Sequence, residues 1–287
     1  MVSRRPLAFP VALTVGSIVS VQAGAAVAFN LFDELGPAGT VLVRIAFAAI
    51  VLMALWRPRI RGQSREALQM VALFGFVFAA MNQSFYLGLE RVPLGIAVTL
   101  EFVGPLAVAV MGSRRPRDLL WVGLAAGGIL LLSPGLGDEL DLLGAAFCLL
   151  AGAFWAAYIV LSQRVGQEFA GGHGLALALA VGTILLLPGG IAQGGSDLLE
   201  LNLLAAGFAV AMLSSALPYS LELEALRYLP KGTFGVLMSL EPAAAALVGF
   251  VALDQGLSAS EVLAVGMVVA ASAGALRSAA QLPPEPA

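Results

Sequence analysis

Apolar runs of about 20 residues recur from one end of this 287-residue chain to the other. A helix needs a run of that length to cross a hydrocarbon layer roughly 30 Å thick. Within such a layer every backbone N–H and C=O must be satisfied inside the segment, so the runs must be α-helices. Composition agrees: 60% of residues are hydrophobic and 11% charged, against roughly 45–50% and 25% in soluble domains. A soluble bundle of this size would need charged outer faces, which these runs lack. The expected fold class is an all-α integral membrane protein.

Hydropathy predicts ten spans, at 8–29, 37–56, 68–89, 94–112, 119–134, 142–163, 174–193, 202–225, 233–253 and 260–276. Short connections with turn residues join them, including Asp33-Glu34-Leu35-Gly36-Pro37, Pro134-Gly135-Leu136-Gly137 and Gly194-Gly195-Ser196-Asp197. The Pro-rich tail at 279–287 reads as disordered. Ser3-Arg4-Arg5 and the apolar stretch after it resemble a signal peptide, but the stretch is too long for one and reads as a retained first helix. One cysteine, Cys148, and one histidine, His173, give no internal disulfide and no basis for a structural zinc site. Cys148 reads as a core residue and His173 as a loop residue.

Charge tests the topology. With both termini cytoplasmic, the inside segments hold 13 of the 15 basic residues: Arg4, Arg5, Arg57, Arg59, Arg61, Arg65, Arg114, Arg115, Arg117, Arg164, Arg227, Lys231 and Arg277. Arg91 falls outside and Arg44 within a helix, while the outside loops collect acids such as Asp33, Glu34, Glu90, Asp138, Asp141 and Asp197. This is the asymmetry of the positive-inside rule.

The chain also repeats itself. Val92-Pro93-Leu94-Gly95 leads into a helix with Glu101 and Pro105, and Leu229-Pro230-Lys231-Gly232 into one with Glu241 and Pro242. Pro93 and Pro230 are 137 positions apart, as are Pro105 and Pro242. Two five-helix units, 1–137 and 138–278, are expected. Five is odd, so the second lies inverted relative to the first, an architecture that places a transporter's site near midplane.

Ionisable groups within a bilayer cost about 2.5–3.5 kcal/mol each on insertion scales and so call for a reason. Glu101 and Glu241 fall near the middle of equivalent helices, each beside a helix-breaking proline. A carboxylate beside a freed carbonyl suits a substrate ammonium or a proton; the alternative is a structural hydrogen bond or a pair with Arg44. Arg44 in turn suits a substrate carboxylate or neutralises one of the glutamates. Helix eight carries Ser214, Pro218 and Glu222 at i, i+4 and i+8, with Tyr219 alongside. Glu222 and Glu224 lie toward the cytoplasmic end, where snorkelling or pairing with Arg227 would reduce their cost; Glu224 reads as structural and Glu222 as lining the inner half of a path. Gln22, Asn82, Tyr86, Trp155 and Tyr158 complete a polar cavity ringed by helices 1, 3, 4, 6, 8 and 9, with Pro105, Pro218 and Pro242 as helix breaks. Gly123, Gly127 and Gly128 in helix five, with Ala243 to Ala246 in helix nine, read as close-packing positions.

Enzymatic readings find no support. Gly135-Leu136-Gly137-Asp138 echoes an intramembrane aspartyl protease motif, but no helix interior holds a second aspartate. Neither HExxH, a Walker A loop nor a Gly-x-Ser-x-Gly elbow is present. Transport would be driven by gradients, with no cofactor or metal.

The segments VPLGIAVTLEFVGPLAVA at 92–109, SRRP at 113–116, LSSALPYSLELEAL at 213–226, LPKGTFGVLMSLEPAAAALVG at 229–249 and SVQAGAAVAFNLF at 20–32 resemble the threonine/homoserine exporters. These form part of the EamA-type branch of the drug/metabolite transporter superfamily. The resemblance implies a ten-helix inverted-repeat fold, an inner-membrane location and efflux of small amino acids by alternating access. Glu101, Pro105, Pro218, Tyr219, Glu241 and Pro242 match the pattern. The partners expected are a small amino-acid substrate and the lipid bilayer, without nucleic acid; a homodimer is compatible with this. The competing readings are the same fold with another cargo, and a membrane scaffold or receptor that transports nothing.

Overall fold

The structure, a computed structural model, describes residues 6–92, 94–112, 115–132, 141–241, 243–244 and 259–280. Pro93, Arg4, Arg5, Arg114, Pro242, Ala245, Ala246, the turn at 134–137, Asp138, Glu139 and the tail from 281 lie outside the described residues. Those described are helical, with no strand among them. The helices are α1 (Ala8–Trp56), α2 (Arg65–Leu89), α3 (Leu94–Glu101), α4 (Val103–Gly112), α5 (Pro116–Leu132), α6 (Leu142–Glu168), α7 (His173–Gly194), α8 (Leu201–Ala211), α9 (Leu217–Ala225), α10 (Lys231–Met238) and α11 (Ala259–Ala280). A 3-10 turn, Gly195–Leu199, precedes α8, and a π-helical turn, Met212–Ala216, joins α8 to α9. Helix α11 runs two residues into the stretch expected to be tail.

Five segments are long and apolar enough to cross a membrane by length and composition: Glu34–Trp56, Arg65–Leu89, Leu142–Glu168, His173–Leu199 and Leu201–Ala225. Shorter apolar helices cover Ala8–Gly24, Ala97–Gly112 and Val262–Ser278.

Helix α1 is two arms joined at Gly36, whose φ of 64° and ψ of 177° no helix accommodates. A side chain there would be strained by φ and would also strike Gln193, since a Cβ would sit 2.6 Å from its Cδ. Gln193 Oε1 accepts from the Ala38 N–H at 2.6 Å, satisfying a donor at the start of the second arm. That arm runs antiparallel to α7, from Gly39 against Gly194 to Trp56 against Gly171. The first arm runs antiparallel to α8–α9, from Gly16 beside Leu221 to Gly24 beside Ser214. Trp56, Gly171, Phe9 and Tyr228 therefore mark one end of the bundle, and Gly36 and Gln193 the other.

Local caps fix the helix starts. Ser64 accepts from Ala67 N at 3.0 Å to open α2, and Asp141 from Gly144 N at 2.8 Å to open α6. Asp141 also receives Arg91 at 3.4 Å; the capping hydrogen bond from Gly144 chiefly, with Arg91 beside it, holds its carboxyl below the ordinary value. His173 does not lie in a loop but starts α7, with Nδ1 2.5 Å from Ala170 O and its ring 5.7 Å from that of Trp56.

The core runs through α1, α2, α6, α7 and α9, with Phe74, Phe78, Tyr158, Leu175 and Leu226 fully buried. Helices α2 and α6 pack along each other, as do α4 with α10 and α5 with α11. Glycine permits the closest crossing, where a Cβ on Gly104 of α4 would overlap Gly152 O of α6, and one on Gly152 would lie 2.6 Å from Glu101 O. In α5 the small-residue expectation divides. Gly128 packs on Ala264 and Val268 and Gly127 on Met267, but nothing lies within 4 Å of a Cβ at Gly123. Cys148 is buried in a small apolar cluster, as expected.

Candidate functional site

Helix α2 supplies one wall. Phe74, Phe78, Asn82 and Tyr86 recur every four residues and so share one face. Arg44, from the second arm of α1, meets that face: Nη2 donates to Asn82 Oδ1 and Nη1 to Tyr86 OH at 3.2 Å. Its guanidinium carbon lies 5.2 Å from the centre of the Tyr86 ring, a cation–π arrangement. Asn82 is fixed by its own Nδ2 donating to Phe78 O at 2.9 Å, which leaves Oδ1 facing the arginine. Among the described residues, the side-chain hydrogen bonds of Arg44 go to these neutral partners. A buried guanidinium with neutral partners keeps its charge for something else, and Nε has no hydrogen-bond partner there.

Glu101 and Glu241 come together. Each lies where a helix breaks: α3 ends at Glu101 and α4 begins at Val103, while α10 ends at Met238, three residues before Glu241. Phe102 falls in the first break, and its N–H still reaches Val98 O at 3.0 Å. Glu241 and Arg44 both lie within electrostatic reach of Glu101. Gln22 Nε2 donates to Glu241 O at 3.4 Å, which ties the first arm of α1 to the second break. Both glutamates are half-buried, whereas Arg44 keeps only 8% of its surface exposed. Pro105 lies in α4 with its carbonyl against Gly235 of α10.

Glu222 does not snorkel: it is 3% exposed, with Oε1 accepting from Ser17 Oγ at 2.7 Å and Oε2 from Tyr158 OH at 3.0 Å. Glu224 does pair with Arg227, at 3.1 Å. Pro218 follows the π turn, in which Leu217 N–H reaches back to Met212 O. The widened ladder leaves Leu213 O for Ser20 Oγ, which donates at 2.6 Å. Such π turns recur at functional sites.

Aromatic rings join these groups. Tyr158 stacks on Phe74 at 5.5 Å, Tyr219 meets Phe78 at 4.5 Å and Tyr158 at 5.6 Å, and Trp155 packs on Phe102 at 4.9 Å. Tyr219 OH donates to Asn82 Oδ1 at 3.5 Å. Phe74, Phe78 and Phe102 escaped the sequence reading because nothing but their place in the four-residue stripe, or beside Glu101, separates them from ordinary core residues. One interior region thus holds a guanidinium, two carboxylates in electrostatic reach of each other (Glu101 and Glu241) and an aromatic wall, with Glu222 apart on Ser17 and Tyr158. It can bind a small molecule bearing both charges.

Known proteins are similar to this chain. The chain is 43% identical over 276 residues to the threonine/homoserine exporter RhtA of Salmonella typhimurium strain LT2, covering 94% of this chain and 92% of that one. It is 42% identical over 278 residues to RhtA of Escherichia coli strain K12, with the same coverage. An uncharacterized transporter of Archaeoglobus fulgidus is 27% identical over 267 residues, covering 87% and 88%. A solved crystal structure shares the fold at a TM-score of 0.77 and 17% identity, covering 96% of this chain and 99% of the other. The EamA-like transporter family matches residues 142–277. With its long apolar helices the chain is a multi-pass membrane protein, and it belongs to the EamA-like transporter family.

Proposed function

We propose that this chain is an inner-membrane secondary exporter of small amino acids of the threonine/homoserine type. The carrying observation is the convergence of Arg44 with Glu101 and Glu241 in one region. An amino acid is a cation and an anion a few ångströms apart: Arg44 receives the carboxylate, and the glutamates the ammonium. The relatives named as threonine/homoserine exporters support the same cargo.

The cycle is alternating access between two inverted repeats, 1–137 and 138–278. Two observations support that division. The family match at 142–277 covers one unit's length and no more. The packing pairs also exchange under a five-helix shift: expected spans two and seven, four and nine, and five and ten pack on each other, while one with eight mirrors six with three. Basic residues gather at the end marked by Trp56 and Arg227, which favours a cytoplasmic end there and both termini on that side.

The test is efflux of labelled threonine and homoserine from cells overproducing the chain, beside E101Q and E241Q. Wild-type cells export faster than empty-vector cells, and each variant loses about tenfold or more, the scale of one charged contact. Efflux equal to the empty vector removes the substrate reading; normal export by both variants makes the glutamates structural. The wall of Phe74, Phe78, Phe102, Trp155, Tyr158 and Tyr219 favours a second reading, in which the same site carries a larger apolar amino acid. Competition by phenylalanine in that assay separates the two.

A further inference from the structure

Arg44 and Glu222 are the two charged side chains buried among the described residues, yet they are not partners. Arg44 is committed to Asn82 and Tyr86. Glu222 is met at both oxygens by hydroxyl groups, Ser17 at 2.7 Å and Tyr158 at 3.0 Å, with no cation on it among the described residues. This choice of partners has a consequence. An arginine or lysine beside a buried carboxylate serves only its ionised form. A hydroxyl either donates or accepts. When Glu222 is a carboxylate both hydroxyls donate to it. When it takes up a proton, the new O–H donates to one hydroxyl oxygen, and that hydroxyl turns its own hydrogen elsewhere. Both protonation states are served in place, without moving a charged partner.

The surroundings bear on the same role. From α1 Glu222 meets Ser17, from α6 Tyr158, and on its own helix Tyr219 lies within electrostatic reach. Glu241, at the break after α10, also feels its charge. Helix α7, which touches α9 as well, has His173 as its one titratable residue, at its first position against Trp56. Tyr158 leads to the amino-acid region: its ring lies against Tyr219, whose hydroxyl donates to the Asn82 oxygen that holds Arg44.

We propose that Glu222, with Ser17 and Tyr158, is the proton site of the transport cycle, separate from the Arg44–Glu101–Glu241 region that takes the amino acid. This rests on the exporter reading above. One proton adds to the carboxylate on one side of the membrane and leaves it on the other, while the amino acid moves the opposite way.

The test uses the purified full chain in liposomes and two uptakes of labelled homoserine and threonine. One is exchange against unlabelled substrate at equal pH; the other is accumulation driven by an acidic lumen. In E222Q the ratio of driven to exchange uptake falls about tenfold or more, because a carboxamide carries no proton. In Y158F, which keeps the ring and removes one hydroxyl, the pH midpoint of driven uptake moves by more than the scatter of the wild-type profile while exchange keeps its pH dependence. A ratio unchanged in E222Q, an equal fall of both uptakes, or an unmoved midpoint in Y158F overturns the proposal. Wild-type chain that exchanges but ignores the pH gradient overturns the proton site alone. Wild-type chain that exchanges neither amino acid overturns the exporter reading and this site with it.

Discussion

Arg91 and Arg227 stand 136 positions apart and hold opposite ends of one helix, α6. Arg91 lies 3.4 Å from Asp141, the residue that caps the first turn of α6. Arg227 Nη2 donates to Phe169 O at 2.9 Å and to Gly171 O at 2.6 Å, just past the last turn. Each arginine comes shortly before a Pro-x-Gly that opens the next helix, Pro93 to Gly95 and Pro230 to Gly232. The two arginines, one position off the 137-residue spacing of the prolines, thus reach opposite ends of α6. Their chemistry differs because the helix ends differ. A cation belongs at the carbonyl end, where Arg227 acts directly, and works at the amide end only through an acid, here Asp141.

That difference predicts unequal costs. Arg227 is mostly covered, and its loss leaves two carbonyls and Glu224 without their cation. R227A should lower stability by about 2 kcal/mol, the scale of hydrogen bonds made by a charged group. The Arg91–Asp141 pair is well exposed, 42% and 39%, and R91A should change little. Thermal unfolding of both variants in one detergent decides it; equal losses would refute the asymmetry.

Asp141 makes α6 sensitive to acid. Its carboxyl is held below the usual 3.8, first by the Gly144 N–H and then by Arg91. A lowered folded value means the capping stabilisation is fully present above 3.8 and is lost as pH falls through the lowered value. The advantage of wild type over D141N in melting temperature should therefore be constant above about pH 5 and shrink only in more acidic solution. An advantage that persists unchanged to the acid limit would show that the charge of Asp141 contributes nothing.

Some of this was legible in the sequence, and the reason is physical. Glu101, Glu241 and Arg44 stood out because a charge in an apolar run has few structural excuses. The pairing of Glu224 with Arg227 was one of two readings the sequence offered, because the two charges lie only three residues apart. The partners of Glu222 were not legible: Ser17 is 205 positions away and Tyr158 is 64, and hydropathy carries no sign of which faces meet. Arg44 illustrates the same limit. Opposite charges in one membrane suggest a pair, but the four-residue stripe of α2 brings Asn82 and Tyr86 to it instead.

Glycine positions separate close packing from mere smallness. A Cβ on Gly104 would overlap the backbone carbonyl of Gly152, which has no flexible end to move aside. G104A should cost about 1–3 kcal/mol, the range for overpacking, and should force α4 away from α6. G123A meets nothing within 4 Å and should be neutral or slightly stabilising. Folded yield and melting temperature of the two single variants check this; a neutral G104A would mean that the crossing is looser than described.

The last prediction concerns what Arg44 is for. Its guanidinium is oriented by Asn82 and Tyr86, leaves Nε without a partner among the described residues, and acts on Glu101. If it receives a substrate carboxylate, its removal should hurt amino acids more than molecules lacking that group. Wild-type chain should prefer homoserine over 3-aminopropanol, its decarboxylated analogue, and R44Q should lose about tenfold or more of that preference, the scale of one charge-assisted hydrogen bond. R44K should fall between them, since an ammonium keeps the charge but cannot bridge Asn82 and Tyr86 in the plane of one fork. Inhibition of labelled homoserine exchange by each compound measures the preference directly. An R44Q chain that binds both compounds more weakly by the same factor would make Arg44 a brace for α2 and not a substrate ligand, because a brace acts on the shape of the site and cannot tell one cargo from the other.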